Sequence, residues 1–272
     1  MHYTFNQVAA LWKTCKRPWV KPSTYATYVL LIRCHLEPWF GGKTAIDEAC
    51  VQAYIQQKLT DGLAPKTVQD TLRVLKMILR HGAKLGAWPP AEFELHFPAS
   101  AQVKPQVEVL TEREQQRLLN HLQEHFSLRN LGIRICLGSG LRIGELCALR
   151  WEDLDVERGV IRVEKTLQRI WLADGAERSN DLLLGPPKTA SSRREIPLSR
   201  QLLKTLRPLR KVMNAKHFVL SNGPEPLEPR YYRDYYRKLL RQLGIRPLRF
   251  HALRHSFATR CIESRCDYKT VS

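Results

Sequence analysis

Residues 138–146 read GSGLRIGEL and residues 251–259 read HALRHSFAT, and the fold turns on these two stretches. In the first, Arg142 follows a Gly-Ser-Gly break at 138–140, so its side chain can be delivered to a site instead of a helix face. Glu145 lies three residues on, within reach on the same face, where a carboxylate can fix a guanidinium in one orientation. The plainer alternative is an ordinary surface Arg–Glu pair. In the second stretch, His251 and Arg254 are three apart and share one helical face, with Leu253 and Phe257 toward the core. Together they can hold a phosphate, the arginine through a bidentate fork and the histidine as donor or proton shuttle. A merely basic helix face is the alternative.

Between them, residues 186–198 read PPKTASSRREIPL. A lysine followed by small hydroxyl residues and a strand predicts a hairpin tip carrying Lys188. An amine there is a point charge suited to neutralising or protonating a leaving oxygen. Alone, the stretch reads more simply as a solvated basic turn. Two arginines, a lysine and a histidine, with no D-x-D or D…E cluster nearby, make a phosphate site without metal ligands. In such a site cations neutralise the charge of a phosphoryl transition state. No metal and no cofactor is expected.

Working outward, the second half mixes elements. Thr111 and Glu114 have capping-box spacing before Leu118, Leu119 and Leu122. A buried helix is predicted over 131–137, resuming from Arg142 to Trp151 after the Gly-Ser-Gly break. Short strands are predicted around Val160–Lys165, Arg194–Leu198 and Phe218–Leu220, with a loop or long hairpin tip over 170–185. Two more helices are predicted, over 228–243 and 248–264. The former is basic, and its Tyr231, Tyr232, Tyr235 and Tyr236 read as packing or phosphate-contacting residues beside Arg233, Arg237 and Lys238.

The first ~90 residues read as four helices. Phe5, Val8, Ala9 and Trp12 form one stripe. Pro22 opens a second helix, closed by Pro38 and Gly41–Gly42. Asp47 caps a third, and Pro65 begins a fourth with Val68, Leu72, Leu75, Ile78 and Leu79 on one face. The proline-bearing stretch near PASAQVKPQVEVL reads as a linker. The expected architecture is α+β but mostly α. It has a helical four-helix domain over 1–95, a linker over 96–107, and a mainly helical domain with a small antiparallel sheet over 108–272.

Composition narrows the function. Forty-four Lys and Arg against 26 Asp and Glu give a net charge of +18, which points to a polyanionic partner, and nucleic acid is the usual one. A membrane surface would need a basic amphipathic segment or lipidation motif, and neither is found. No run of about 18 apolar residues exists, and the N-terminus lacks the order of a signal peptide, so a cytoplasmic protein is expected. Seven scattered cysteines without CxxC spacing read as reduced thiols, not a zinc site.

In order and spacing, GSGLRIGEL, PPKTASSRREIPL and HALRHSFAT resemble the motifs of the tyrosine recombinase (phage integrase) family. The segment GLAPKTVQDTLRVLKMILRHGAKLG is similar to the last helices of that family's core-binding domain. The hairpin tip looks more like integrases of phages and conjugative elements than like chromosome-dimer resolvases. The resemblance implies a site-specific recombinase that cleaves and rejoins double-stranded DNA through a 3′-phosphotyrosyl link, as a homotetramer on two duplexes, without a high-energy cofactor. By position, Arg142 is the first catalytic arginine with Glu145 as acidic neighbour, Lys188 protonates the departing 5′ oxygen, and His251 and Arg254 form the His-x-x-Arg pair. Lys66, Arg73, Arg193, Arg194, Arg233, Arg237 and Lys238 are the expected DNA contacts.

The family's Leu-Gly-His motif and the nucleophilic tyrosine beyond it have no counterpart between Thr259 and Ser272, and Tyr268 is too near Arg254 to match. This form is therefore expected to be C-terminally truncated and to bind DNA without cleaving it efficiently. Two other functions fit less well: a type IB topoisomerase, and a non-catalytic DNA-binding regulator derived from an integrase.

Overall fold

The computed structural model describes residues 3–90, 92–98, 107–172, 179–187 and 193–264. The chain divides into two compact units, Met1–Pro105 with Ile170–Asp181, and Gln106–Arg169 with Leu182–Ser272. The architecture is mostly helical with small β-sheets. No helix among the described residues is long and apolar enough to cross a membrane.

The first unit is a helical bundle. Helix α1 (Phe5–Lys16) starts at a capping box in which the Thr4 backbone N–H donates to Gln7 Oε1 at 2.9 Å. This satisfies donors that a helix start would otherwise leave unpaired. Helix α2 (Pro22–Leu31) runs into a π-turn (Ile32–Leu36) and a short α3 (Glu37–Phe40). Pro38 therefore does not close the second helix as expected. The widened π-turn precedes it, and Pro38 sits in the first turn of α3, where its missing N–H costs little. Asp47 caps α4 (Glu48–Thr60) by accepting from the Cys50 N–H at 2.8 Å, and α5 (Pro65–Lys84) follows. Phe5, Phe40 and Tyr54 meet in the core, with ring centroids 5.8 and 5.2 Å apart.

The second unit wraps a larger core. Helix α6 (Glu112–Glu124) begins at the Thr111–Glu114 capping box. Buried helix α7 (Leu128–Ser139) leads to short α8 (Ile143–Cys147). The helix expected to run on to Trp151 stops at Cys147, and Trp151 opens a 3₁₀ turn as a fully buried side chain. Strands β1 (Leu154–Asp155) and β2 (Val160–Val163) pair antiparallel, and β2 also pairs antiparallel with the later β5 (Arg194–Pro197), placing Ile161 opposite Ile196. Strands β3 (Thr166–Leu172) and β4 (Ser179–Gly185) pair as a separate two-stranded sheet, where a loop or hairpin tip was expected over 170–185.

Two further differences concern the stretch after β5. Helix α9 (Arg200–Val212), capped by Ser199 and burying Leu202 and Leu206, was not foreseen. Its first apolar turn lies directly after a strand, and Pro208 inside it reads as a break. Phe218 forms only an isolated bridge with Arg150, so the strand predicted there is absent among the described residues. Helices α10 (Pro229–Gln242) and α11 (His251–Glu263) complete the unit.

Candidate phosphate site

Two glycines shape the turn that carries Arg142. Gly140 ends α7 with a left-handed φ of +63°, and a Cβ there would stand 2.6 Å from Phe257. Gly144 lies against β3, where a Cβ would stand 2.6 Å from the Thr166 hydroxyl and 2.7 Å from the Leu167 carbonyl. The chain can therefore turn closely enough to make Arg142 the extended cap residue of α8.

Glu145 organises this turn. It is 4% exposed, and among the described residues its carboxylate accepts four hydrogen bonds. The Arg142 backbone N–H donates to Oε2 at 2.9 Å and the Arg142 guanidinium to Oε1 at 2.8 Å. Arg194, the first residue of β5, reaches the same carboxylate as a fork, donating to Oε1 at 3.1 Å and to Oε2 at 3.0 Å. Four donors are about what two carboxylate oxygens can accept. Burial alone pushes the Glu145 carboxyl up, but hydrogen bonds and charge from Arg194 and Arg142 outweigh it and hold it below the usual range.

The second motif closes on the first. From α11, the Arg254 guanidinium donates to the Gly140 carbonyl at 2.7 Å. Burial and then the charges of Arg142 and Arg194 lower Arg254 from its ordinary value. Burial also depresses His251, aided by His255, Arg254 and Arg142. The His251 and His255 rings stand edge to face at 4.5 Å. These mutual effects place Arg142, Arg194, Arg254 and His251 in one electrostatic neighbourhood. Leu253 is fully buried as expected, while Phe257 is only half-buried and packs over Gly140.

Beside the cluster lies a groove of about 840 Å³, lined by Arg142 and His251 and by Arg233, Arg237 and Arg249 over an apolar floor that includes Leu248 and Phe250. Arg249 was not singled out in the sequence, although it lies two residues before His251. Arg237 also pairs with Asp234 at 3.3 Å. Arg193 and Lys238 are exposed. In the first unit, Lys66 and Arg73 are exposed on α5 and share Asp70, at 3.0 and 2.8 Å. Lys188 and Tyr268 lie outside the described residues.

Two of the α10 tyrosines are hydrogen-bonded within the unit. Tyr232 donates its hydroxyl to the Arg129 carbonyl at 2.6 Å, and Tyr235 donates to Asn130 Oδ1 at 2.5 Å. Tyr236 is 1% exposed, and burial raises its phenol above the ordinary range. Tyr231 alone of the four projects outward.

The sequence profile of the phage integrase family matches residues 108–272, and that of the phage integrase N-terminal SAM-like domain matches residues 4–60. The chain is 25% identical over 276 residues to a XerC-like tyrosine recombinase of Caldanaerobacter subterraneus subsp. tengcongensis, covering 93% of this chain and 70% of that protein. To tyrosine recombinase XerC of Xanthomonas campestris pv. campestris it is 26% identical, covering 83% of this chain and 65% of the relative. Among solved structures, the Tn1549 transposon integrase in complex with transposon right end DNA superposes with a TM-score of 0.79 at 23% identity, over 99% of this chain and 90% of that one. A lambda integrase tetramer bound to a Holliday junction superposes with a TM-score of 0.73 at 16% identity, over 98% and 76%. At these identities the structural likeness establishes the fold.

Proposed function

The chain belongs to the phage integrase family, and on that premise we propose that it serves site-specific recombination of double-stranded DNA, with Arg142, His251 and Arg254 gripping the phosphate at which strands are exchanged. The observation that carries this reading is the closure of Arg254 onto Gly140 beside an Arg142 already fixed by buried Glu145. Two guanidinia and an imidazole held in a shared field suit the charge that develops on a phosphoryl group in transit.

In the reaction proposed, a tyrosine oxygen attacks phosphorus, the P–O5′ bond breaks, and the electron pair leaves on the 5′ oxygen. Lys188 supplies the proton to that oxygen. The reverse step, by a 5′ hydroxyl of a partner strand, restores the backbone. Arg233, Arg237 and Arg249 flank the cluster and take neighbouring phosphates, with Arg193 and Lys238 as further contacts on this unit. Lys66 and Arg73 on α5 provide a separate basic face. A lambda integrase tetramer on a Holliday junction supports assembly of four copies on two duplexes. Tyr232 and Tyr235 are hydrogen-bonded within the unit and Tyr236 is buried, so none of these three is the nucleophile of this reaction.

Titrating labelled duplex into the purified 272 residues tests this reading. Tight binding that weakens steeply with salt is the expected result. Absence of duplex binding at physiological salt overturns the reading.

A further inference from the structure

Arg194 stands among basic residues that suit DNA backbone contact, yet both its terminal nitrogens donate to Glu145, and its side chain is 26% exposed. Glu145 is almost wholly enclosed and serves two guanidinia at once. The charges matter here. A lone Arg142–Glu145 pair is neutral and offers a phosphate little. With Arg194 added, the buried carboxylate is shared, and the triad keeps one net positive charge while Arg142 stays fixed by its backbone and side-chain bonds to Glu145. Arg194 also starts β5, whose pairing with β2 makes it a rigid mount. Arg142 is the more exposed of the two guanidinia, 48% against 26%, and so is the one presented outward.

We propose that Arg194 is a positioning residue that acts through Glu145, holding Arg142 in register and balancing the carboxylate's charge so that the triad as a whole stays positive toward DNA phosphate, without a backbone contact of its own. The inference rests on the reading of the cluster as a phosphate site.

The test is a double-mutant cycle on salt dependence in the 272-residue chain. Each phosphate contact contributes about 0.9 to the slope of log affinity against log salt. Arg142→Ala should lower the slope by about one contact. Arg194→Ala should lower it by a similar amount, and the double variant should lose no more than either single. Arg194→Lys keeps the charge and should retain the parent slope. Arg194→Ala leaves Glu145 paired with Arg142 alone, so Arg194→Ala is also made in a Glu145→Gln background, where no carboxylate charge remains to balance and the slope should not fall further; circular dichroism first establishes the fold of each variant.

Additive losses, about two contacts in the double variant, overturn the inference by making Arg194 a phosphate ligand in its own right. An unchanged slope in Arg194→Ala where Arg142→Ala loses one also overturns it, since Arg142 is then held without Arg194. Failure of the folded Arg194→Lys chain to retain the slope overturns charge balancing. If neither Arg142→Ala nor Arg194→Ala changes the slope, the phosphate-site reading itself fails, and this inference with it.

Discussion

The Arg254 guanidinium donates to the carbonyl of Gly140 at 2.7 Å, joining two motifs that lie 114 residues apart in the chain. The bond makes the end of α7 and the face of α11 one structure, so a change at Gly140 acts on the phosphate cluster as well as on the fold.

Gly140→Ala places a side chain at φ +63° and against Phe257. The left-handed backbone alone costs about 1–2 kcal/mol for an L residue, and the close approach adds to it. Urea denaturation should show a loss of about 2 kcal/mol or more. A variant as stable as the parent contradicts the described turn.

Removing the charge of Glu145 should destabilise the second unit. Glu145→Gln leaves Arg142 and Arg194 without their shared anion, for a loss of about 1–3 kcal/mol near neutral pH. Glu145 titrates below the usual carboxyl range when folded. Its stabilisation is therefore present above the ordinary glutamate value, about 4.3, and is lost as pH falls through the folded value. Denaturation profiles of parent and variant should converge on acidification below that value. A gap that stays constant down to strongly acid pH argues against the charged clamp.

His251 is held below its ordinary value by burial, His255, Arg254 and Arg142. A bound phosphate opposes those cations and should raise it. DNA affinity should then increase as pH falls from the bound value of His251 toward its free value, and His251→Gln should flatten this dependence. Proton resonances of His251 that titrate at or above the ordinary histidine value without DNA would refute the arrangement.

Much of this was legible in the sequence. Caps such as Thr111–Glu114 and Asp47 are local hydrogen-bond chemistry, and stripes such as Val68 to Leu79 are helical periodicity, so neighbouring residues suffice to reveal them. The Arg142–Glu145 pair was readable for the same reason. Arg194 was legible only as a basic residue. Its role depends on β5 pairing with β2 and facing a carboxylate 49 positions earlier, which no local pattern encodes. Helix α9 escaped because Pro208 masks its periodicity, and the strand expected at Phe218 failed because its apolar run is satisfied by burial and one bridge. Pro38 misled because a π-turn can carry the chain into a proline without ending the helical path.

The most direct test of the central claim uses the chain joined after Ser272 to a segment that supplies a nucleophilic tyrosine, incubated with nicked duplexes bearing its recombination site. Covalent protein–DNA adducts are counted after denaturation, for parent and for Arg254→Ala. The account predicts a 3′-phosphotyrosyl adduct in the parent and its loss in Arg254→Ala. An adduct of undiminished yield in Arg254→Ala would contradict it.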